Sequence, residues 1–192
     1  MSGPAVGLWL FEPCAFEKIL TDVVPWLQTF CEPVETEADG DLSFRVRDVS
    51  HLGLQDVDPA DACGFFLSED ECLPADDEDY SAFSMPPVQG LILCAGCSGP
   101  ENHLLLGHLA LGMARCLGAL VDFDGVLGYP APRDATRGEA DLALARTLVT
   151  SLPGTVAEVS YDTGDGARWF RHVGDTEFLA AWLQHPEFHL IK

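Results

Sequence analysis

The chain has 192 residues, of which 47% are hydrophobic and 9% aromatic, enough apolar side chain to bury a core. Its 31 acidic and 10 basic residues give a formal net charge of -21, so its surface repels phosphate backbones and anionic lipid headgroups. We therefore predict no nucleic-acid binding and no membrane binding, and we expect a basic protein as partner.

We predict a single domain over residues 1–192 with a loose acidic segment at about 50–87. The start, MSGPAVGLWLFEP, lacks the basic region of a secretory signal, and Glu12 and Pro13 interrupt its apolar run. No apolar run approaches the roughly 20 residues that span a bilayer. The seven cysteines, an odd number, lie mostly in apolar segments, which favours reduced, buried thiols and a cytoplasmic location. The oligomeric state stays open.

The first half begins with a buried strand, GLWLF, at residues 7–11. Residues 14–31 then carry an apolar stripe at helical spacing, and Pro25 should kink this helix or divide it in two. In residues 42–49 alternate positions are apolar, which predicts a half-buried strand.

An acidic stretch follows the short apolar run CGFFL at residues 63–67. Seven acids fall between Glu69 and Asp79, and such a charge density predicts either a solubilising loop or a binding edge. As a binding edge it would attract a basic partner, with aromatic side chains as anchors. The predicted partner-binding residues are Glu69, Asp70, Glu71, Asp76, Asp77, Glu78, Asp79, Tyr80 and Phe83.

The second half opens with the strongest candidate for a central strand, QGLILCAGC at residues 89–97. Residues 100–118 predict a helix that starts near Pro100 and is capped by Gly118, and residues 119–128 predict another strand. The four segments after these are a helix at 137–154, a hairpin at 155–173 with its turn at 162–166, a short helix at 174–184 capped by Asp175 or Thr176, and an edge strand at 185–192. This order predicts an α+β fold, a two-layer sandwich with a largely antiparallel sheet and strand–helix–strand units.

Cys94, Cys97, His103 and His108 are of the residue types that bind zinc, and the Cys-x-x-Cys pair could also be a redox site. However, His103 and His108 are five residues apart, so on one helix they point about 140° away from each other. The chain has no second Cys-x-x-Cys pair, and we interpret this region as core packing.

A metal-dependent or redox enzyme that uses this region remains the alternative, with Asp122 and Asp124 on one strand face as further candidate ligands. The chain has neither a phosphate-binding Gly-x-x-x-x-Gly-Lys motif nor a Gly-x-Ser-x-Gly nucleophile motif. We therefore assign no catalytic residue and no cofactor, and we favour a non-enzymatic protein.

Residues 107–128, GHLALGMARCLGALVDFDGVLG, and residues 172–192, HVGDTEFLAAWLQHPEFHLIK, together resemble an uncharacterised family found mainly in actinobacteria. The resemblance extends to VGLWLFEP near the start and is weakest across residues 48–87. Since that family is a domain of unknown function, the resemblance implies no catalytic residues. In size and acidity the chain is also similar to small cytosolic immunity proteins, which implies an inhibitor of a basic toxin domain.

Overall fold

The computed structural model describes residues 3–128 and 138–191, which contain nine strands and four helices. Arg137 and Lys192, at the ends of the predicted helix 137–154 and the predicted edge strand, lie outside the described residues. The strands are β1 (Ala5–Leu10), β2 (Cys31–Thr36), β3 (Leu42–Val46), β4 (Phe65–Asp70), β5 (Glu78–Asp79), β6 (Gln89–Ala95), β7 (Leu120–Asp122), β8 (Val156–Asp162) and β9 (Arg168–Gly174). The helices are α1 (Phe16–Leu27), α2 (Pro100–Leu117), α3 (Gly138–Thr150) and α4 (Thr176–Leu183).

The strands form one sheet in the order β2-β3-β4-β6-β1-β7-β9-β8-β5, and all neighbouring strands run antiparallel. β1 lies between β6 and β7, so these two strands are parallel to each other and α2 connects them by crossing over β1. The predicted α+β fold with a largely antiparallel sheet is confirmed.

The helices pack on one face of the sheet because alternate strand residues on that face are apolar. Leu8 of β1 and Leu93 of β6 are fully buried there, in one core with residues of all four helices, such as Ile19 of α1 and Phe178 of α4. α2 is apolar around most of its circumference because the sheet lies beneath it and α1 and α4 lie beside it.

Several predicted boundaries differ from the structure. α1 ends at Leu27 as one helix, with Pro25 in its last turn, and Cys31 already begins the edge strand β2. The predicted edge strand at 185–192 is wrong for the described residues, since none of residues 185–191 is in a strand. Phe188 packs instead against Trp182, and Leu190 is buried in the helical core.

The prediction of reduced thiols is wrong for Cys63 and Cys97, whereas the other five cysteines are free. Cys63, just before β4, forms a disulfide with Cys97, just after β6, and only Cys31 among the five free cysteines is buried. Cys97 lies just before α2, so the disulfide joins two loops at the same end of neighbouring strands. The amide side chain of Asn102, which is 2% exposed, contacts both loops, because its Oδ1 accepts a hydrogen bond from Cys63 N and its Nδ2 lies 3.5 Å from Cys97 Sγ.

A thiol count tests the disulfide. In denaturant without reductant we expect five free thiols per chain, and seven after reduction, because only the Cys63–Cys97 pair is oxidised. The C63S/C97S variant should lose up to about 4 kcal/mol of unfolding free energy in urea titrations, since its unfolded chain is no longer cross-linked. The matched C72S/C116S variant, which replaces two exposed free cysteines, should unfold as the wild type does. Seven thiols before reduction would contradict the pairing.

The contact between α1 and α2 depends on a missing side chain. A Cβ at Gly112 of α2 would lie 2.5 Å from two ring atoms of Trp26 in α1. We expect Gly112→Ala to lower the unfolding free energy by about 1–3 kcal/mol through overpacking. In a Trp26→Leu background the same change should stabilise the protein by up to about 1 kcal/mol, because alanine is the better helix former. If Gly112→Ala lowered the unfolding free energy equally in the wild type and in the Trp26→Leu variant, the contact with Trp26 would not be the cause of the loss.

Candidate functional site

The acidic segment predicted as loose, residues 50–87, lies between β3 and β6. It contains two short 3-10 turns, Val49–Leu52 and Pro59–Asp61, and two strands, β4 and β5. β4 forms because its apolar residues alternate, with Phe65 and Leu67 buried on the helical face and Phe66 on the other face.

After β4 the chain crosses the face of the sheet opposite the helices. Asp70 ends β4 near one side of the sheet, Glu78 and Asp79 pair with β8 at the far edge, and Gln89 returns the chain to β6 beside β4. We name residues 71–88 the acidic strap and the face that it crosses the strap face. The strap therefore passes over the strands that lie between β6 and β5, the edge strand at this side of the sheet.

Aromatic side chains hold the underside of the acidic strap. The ring centroids of Tyr80 and Phe83 lie 5.6 Å and 6.0 Å from that of Trp9, which is 1% exposed in the centre of the strap face. Val159 and Val173 complete this second apolar cluster. Tyr80 and Phe83, predicted as anchors for a partner, are thus half-buried within the chain itself, where they anchor the strap.

A half-buried arginine adds an ionic attachment. Arg171 of β9 donates from Nη1 to Asp122 Oδ2 at 3.0 Å, and its Nη2 lies 3.0 Å from Glu78 Oε1 of the strap. The Glu78 side chain is only 5% exposed, and its Oε2 accepts a hydrogen bond of 2.6 Å from the Tyr80 hydroxyl. The Arg171 guanidinium also lies over the Tyr161 ring, 4.8 Å from its centroid. Sheet and strap therefore share one charge network.

Burial changes the ionisation of this network. It raises the pKa of Asp122 to about 6, although the Arg171 guanidinium beside it acts in the opposite direction. Burial, followed by the hydrogen bond to the Glu78 carboxylate, raises the pKa of Tyr80. Asp124, predicted to share a strand face with Asp122, lies beyond the end of β7 with a φ of 55°, and its backbone N–H donates to Asp122 Oδ1. The two carboxylates therefore have different environments, Asp122 buried and Asp124 exposed.

The remaining predicted acids divide into two groups. At the end of β4, Glu69 accepts a hydrogen bond from Gln89 Nε2 at 2.9 Å, and half-buried Asp70 accepts one from the backbone of Cys72 at 3.0 Å. The other four acids are exposed on the outside of the acidic strap, and we name them the outer acids: Glu71, Asp76, Asp77 and Asp79.

The structure does not bring the alternative site together. Cys97 is bonded to Cys63, and Cys94 lies on the strap face of β6 rather than in the helical core. His103 Nδ1 accepts a hydrogen bond of 3.1 Å from the backbone of Leu190, and burial lowers the pKa of His108. Among residues 3–128 and 138–191 no three histidine, cysteine or acidic side chains converge as a metal site would require.

Sequence reasoning did not find Trp9 and Arg171, which hold the acidic strap. Their sequence signal is weak, because each stands in a strand whose neighbouring residues are mostly apolar or aromatic. The role of Gly7 is also visible only in the structure. A Cβ at this position would lie 3.1 Å from the Asp122 Cβ and 3.5 Å from Trp9 Nε1. The glycine leaves the room that both side chains occupy.

A family model described as a family of unknown function (DUF6368) matches residues 2–192. No curated protein and no solved structure matches the chain. In the described ranges no helix is both long and apolar enough to cross a membrane.

The buried Asp122 predicts a pH dependence of stability. Its folded pKa of about 6 is above the ordinary value of 3.8, so the folded state binds the extra proton and is stabilised at low pH. As the pH rises from 4 to 6, the wild type should lose about 2 kcal/mol of unfolding free energy relative to D122N, which cannot ionise there. Urea titrations across this range measure the difference. If the wild type gained stability instead, the Arg171 pair would outweigh burial.

His172 provides a control of opposite sign. It is 2% exposed, its Nδ1 accepts a hydrogen bond of 3.0 Å from the backbone of Leu127, and burial lowers its pKa to about 4. The stability that neutral His172 contributes to the fold is therefore fully present above pH 6.5, the ordinary pKa of the residue, and is lost as the pH falls toward 4. The wild type should gain stability relative to H172Q as the pH rises through this range.

Proposed function

This chain belongs to the DUF6368 family, and we propose that it is a non-enzymatic protein that binds a basic protein partner through the outer acids of the acidic strap. The observation that carries this proposal is the attachment of the strap. Its apolar side chains and the ion pair of Glu78 hold it against the sheet, while four carboxylates face outward. The attachment covers the apolar cluster of Trp9, Val159 and Val173 and at the same time fixes the segment that carries the outer acids.

The attachment matters because a fixed surface loses little conformational entropy when a partner binds. Tyr80 and Phe83 pack on Trp9, and Arg171 holds Glu78, so the strap is preorganised between its ends. Its outer acids therefore lie on an attached segment rather than on a loop that must first be ordered, which lowers the entropy lost when a basic surface binds.

The charge of the whole chain supports the same partner class. A net charge of -21 attracts basic proteins over long distances and can raise association rates by about 10- to 1000-fold at low salt. We propose an immunity-type inhibitor that covers a basic toxin domain, and a cytoplasmic location in which it would meet that partner. The size and acidity of the chain support this role.

The test uses two variants that remove the same number of charges. E71Q/D76N/D77N/D79N neutralises the outer acids, and the amide oxygen introduced at position 79 can still accept the hydrogen bond that Asp79 accepts from Ser81 N. E17Q/E139Q/E177Q/E187Q neutralises four exposed acids on α1, α3, α4 and the segment after α4, on the helical side of the molecule. Wild type and both variants serve as bait in extracts of the source cells at low and high salt.

We expect the wild type and the helical-side variant to capture the same basic protein at low salt, and the strap variant to lose it. With that protein purified, stopped-flow measurements should show about 10- to 100-fold slower association for the strap variant and a flatter salt dependence. Equal losses in both variants would show that only net charge matters. A captured partner that is acidic, or one that the strap variant retains, would refute the proposal.

A further inference from the structure

The strap face has an uncovered part, on β3 and β4, where the local charge is reversed. Two of the three basic residues among the first 100, Arg45 on β3 and Arg47 just after its end, are both exposed. Strand alternation places Arg45 on the strap face, and Arg47 lines the same groove. They line a groove of about 370 Å³ together with Pro33, Gly64 and Phe66.

The two arginines have guanidinium N–H groups that are available to a ligand. Arg47 donates from Nε to the carbonyl oxygen of Glu32 at 2.8 Å, and its other guanidinium N–H groups make no hydrogen bond within the described ranges. Within the described ranges Arg45 makes neither a hydrogen bond nor an ion pair. The carboxylate of Glu37, which also lines the groove, accepts a hydrogen bond of 2.5 Å from the Ser43 hydroxyl. Two arginines and one glutamate therefore leave the lining with a formal charge of +1.

This charge sets the groove apart from another cleft of similar size. The cleft beside the start of α2 has about 360 Å³ and is lined by Asp56, Asp58, Asp61 and Glu101, without a basic residue. An arginine pair without carboxylate partners is unexpected on a chain with a net charge of -21, since nearby acids would ordinarily neutralise it.

An exposed phenylalanine ring lies beside the two arginines. Phe66 is 39% exposed, and its backbone neighbour across the ladder is Ser43, which places its ring diagonal to Arg45. Gly64 precedes β4 and leaves the groove open, because it has no side chain. The Cys63–Cys97 disulfide fixes the backbone at this point.

We propose that this groove binds a small aromatic monocarboxylate, with the carboxylate on Arg45 and Arg47 and the ring on Phe66. Arginine forks match the geometry of a carboxylate, and an exposed phenylalanine offers an apolar face to a planar ring. Polyanions such as nucleic acids and polyphosphates do not fit, because repulsion from the net charge of -21 increases with each ligand charge while the lining provides only +1. This site is independent of the acidic strap and of its proposed partner.

The experiment follows backbone amide shifts of ¹⁵N-labelled full-length protein during titration with 2-naphthoate. We expect saturable binding with the shifts centred on residues 33–47 and 64–66. Two probes separate the contributions, since 2-naphthamide keeps the ring without the charge and acetate keeps the charge without the ring. Each should bind about tenfold more weakly or worse, because each loses either the charge-assisted hydrogen bonds or the ring contact.

Variants then locate the site. R45Q, R47Q and F66A should each weaken 2-naphthoate about 5- to 10-fold, whereas R115Q, which removes an exposed arginine on α2, should leave its affinity unchanged. Gly64→Val should also abolish binding by filling the groove, and a Cβ there meets only the Phe44 carbonyl oxygen at 3.7 Å, so the fold should tolerate it. Unsaturable binding, shifts centred elsewhere, an equal effect of R115Q, or full binding by Gly64→Val would each overturn the proposal.

Discussion

Arg171 is the constraint on which the strap face depends. It is held between a buried carboxylate of the sheet, Asp122, and a buried carboxylate of the strap, Glu78. Removing one partner from such a network leaves an uncompensated charge among largely buried side chains, which costs more than the pair itself contributes. The arginine therefore specifies one position of the strap, while Tyr80 and Phe83 add apolar contact with Trp9.

The position of the strap also determines where charged side chains lie on the strap face. Where the acidic strap covers the sheet, carboxylates that face inward are paired or hydrogen-bonded, and those that face outward stay in water. Where the strap does not reach, on β3 and β4, the sheet presents Arg45, Arg47 and Phe66 instead. One face of one sheet thus carries two surfaces of opposite character, the groove on β3 and the start of β4 and the outer acids on the strap that follows β4.

The sequence patterns were sufficient for the helical layer and much of the sheet. Apolar residues at helical spacing predict α1, Pro100 and Gly118 mark the ends of the predicted α2, strict alternation predicts β3, and the turn residues at 162–166 predict the hairpin of β8 and β9. These signals are local, because the period of the apolar residues reflects the one face on which each element is buried. The candidate site was predicted only in part. The acids between Glu69 and Asp79 mark the segment, but their pattern contains no sign that Glu78 is buried.

The sequence by itself determined the acidity of the surface, the α+β class and the identity of the central strand β6. Only the tertiary structure decided that the acidic segment lies across the sheet, that Cys63 pairs with Cys97, and that Arg171 joins Asp122 to Glu78. The physical reason is distance along the chain. These contacts join residues 34 to 93 positions apart, and they exist only after the registers between β4 and β6, between β7 and β9 and between β5 and β8 have brought them together.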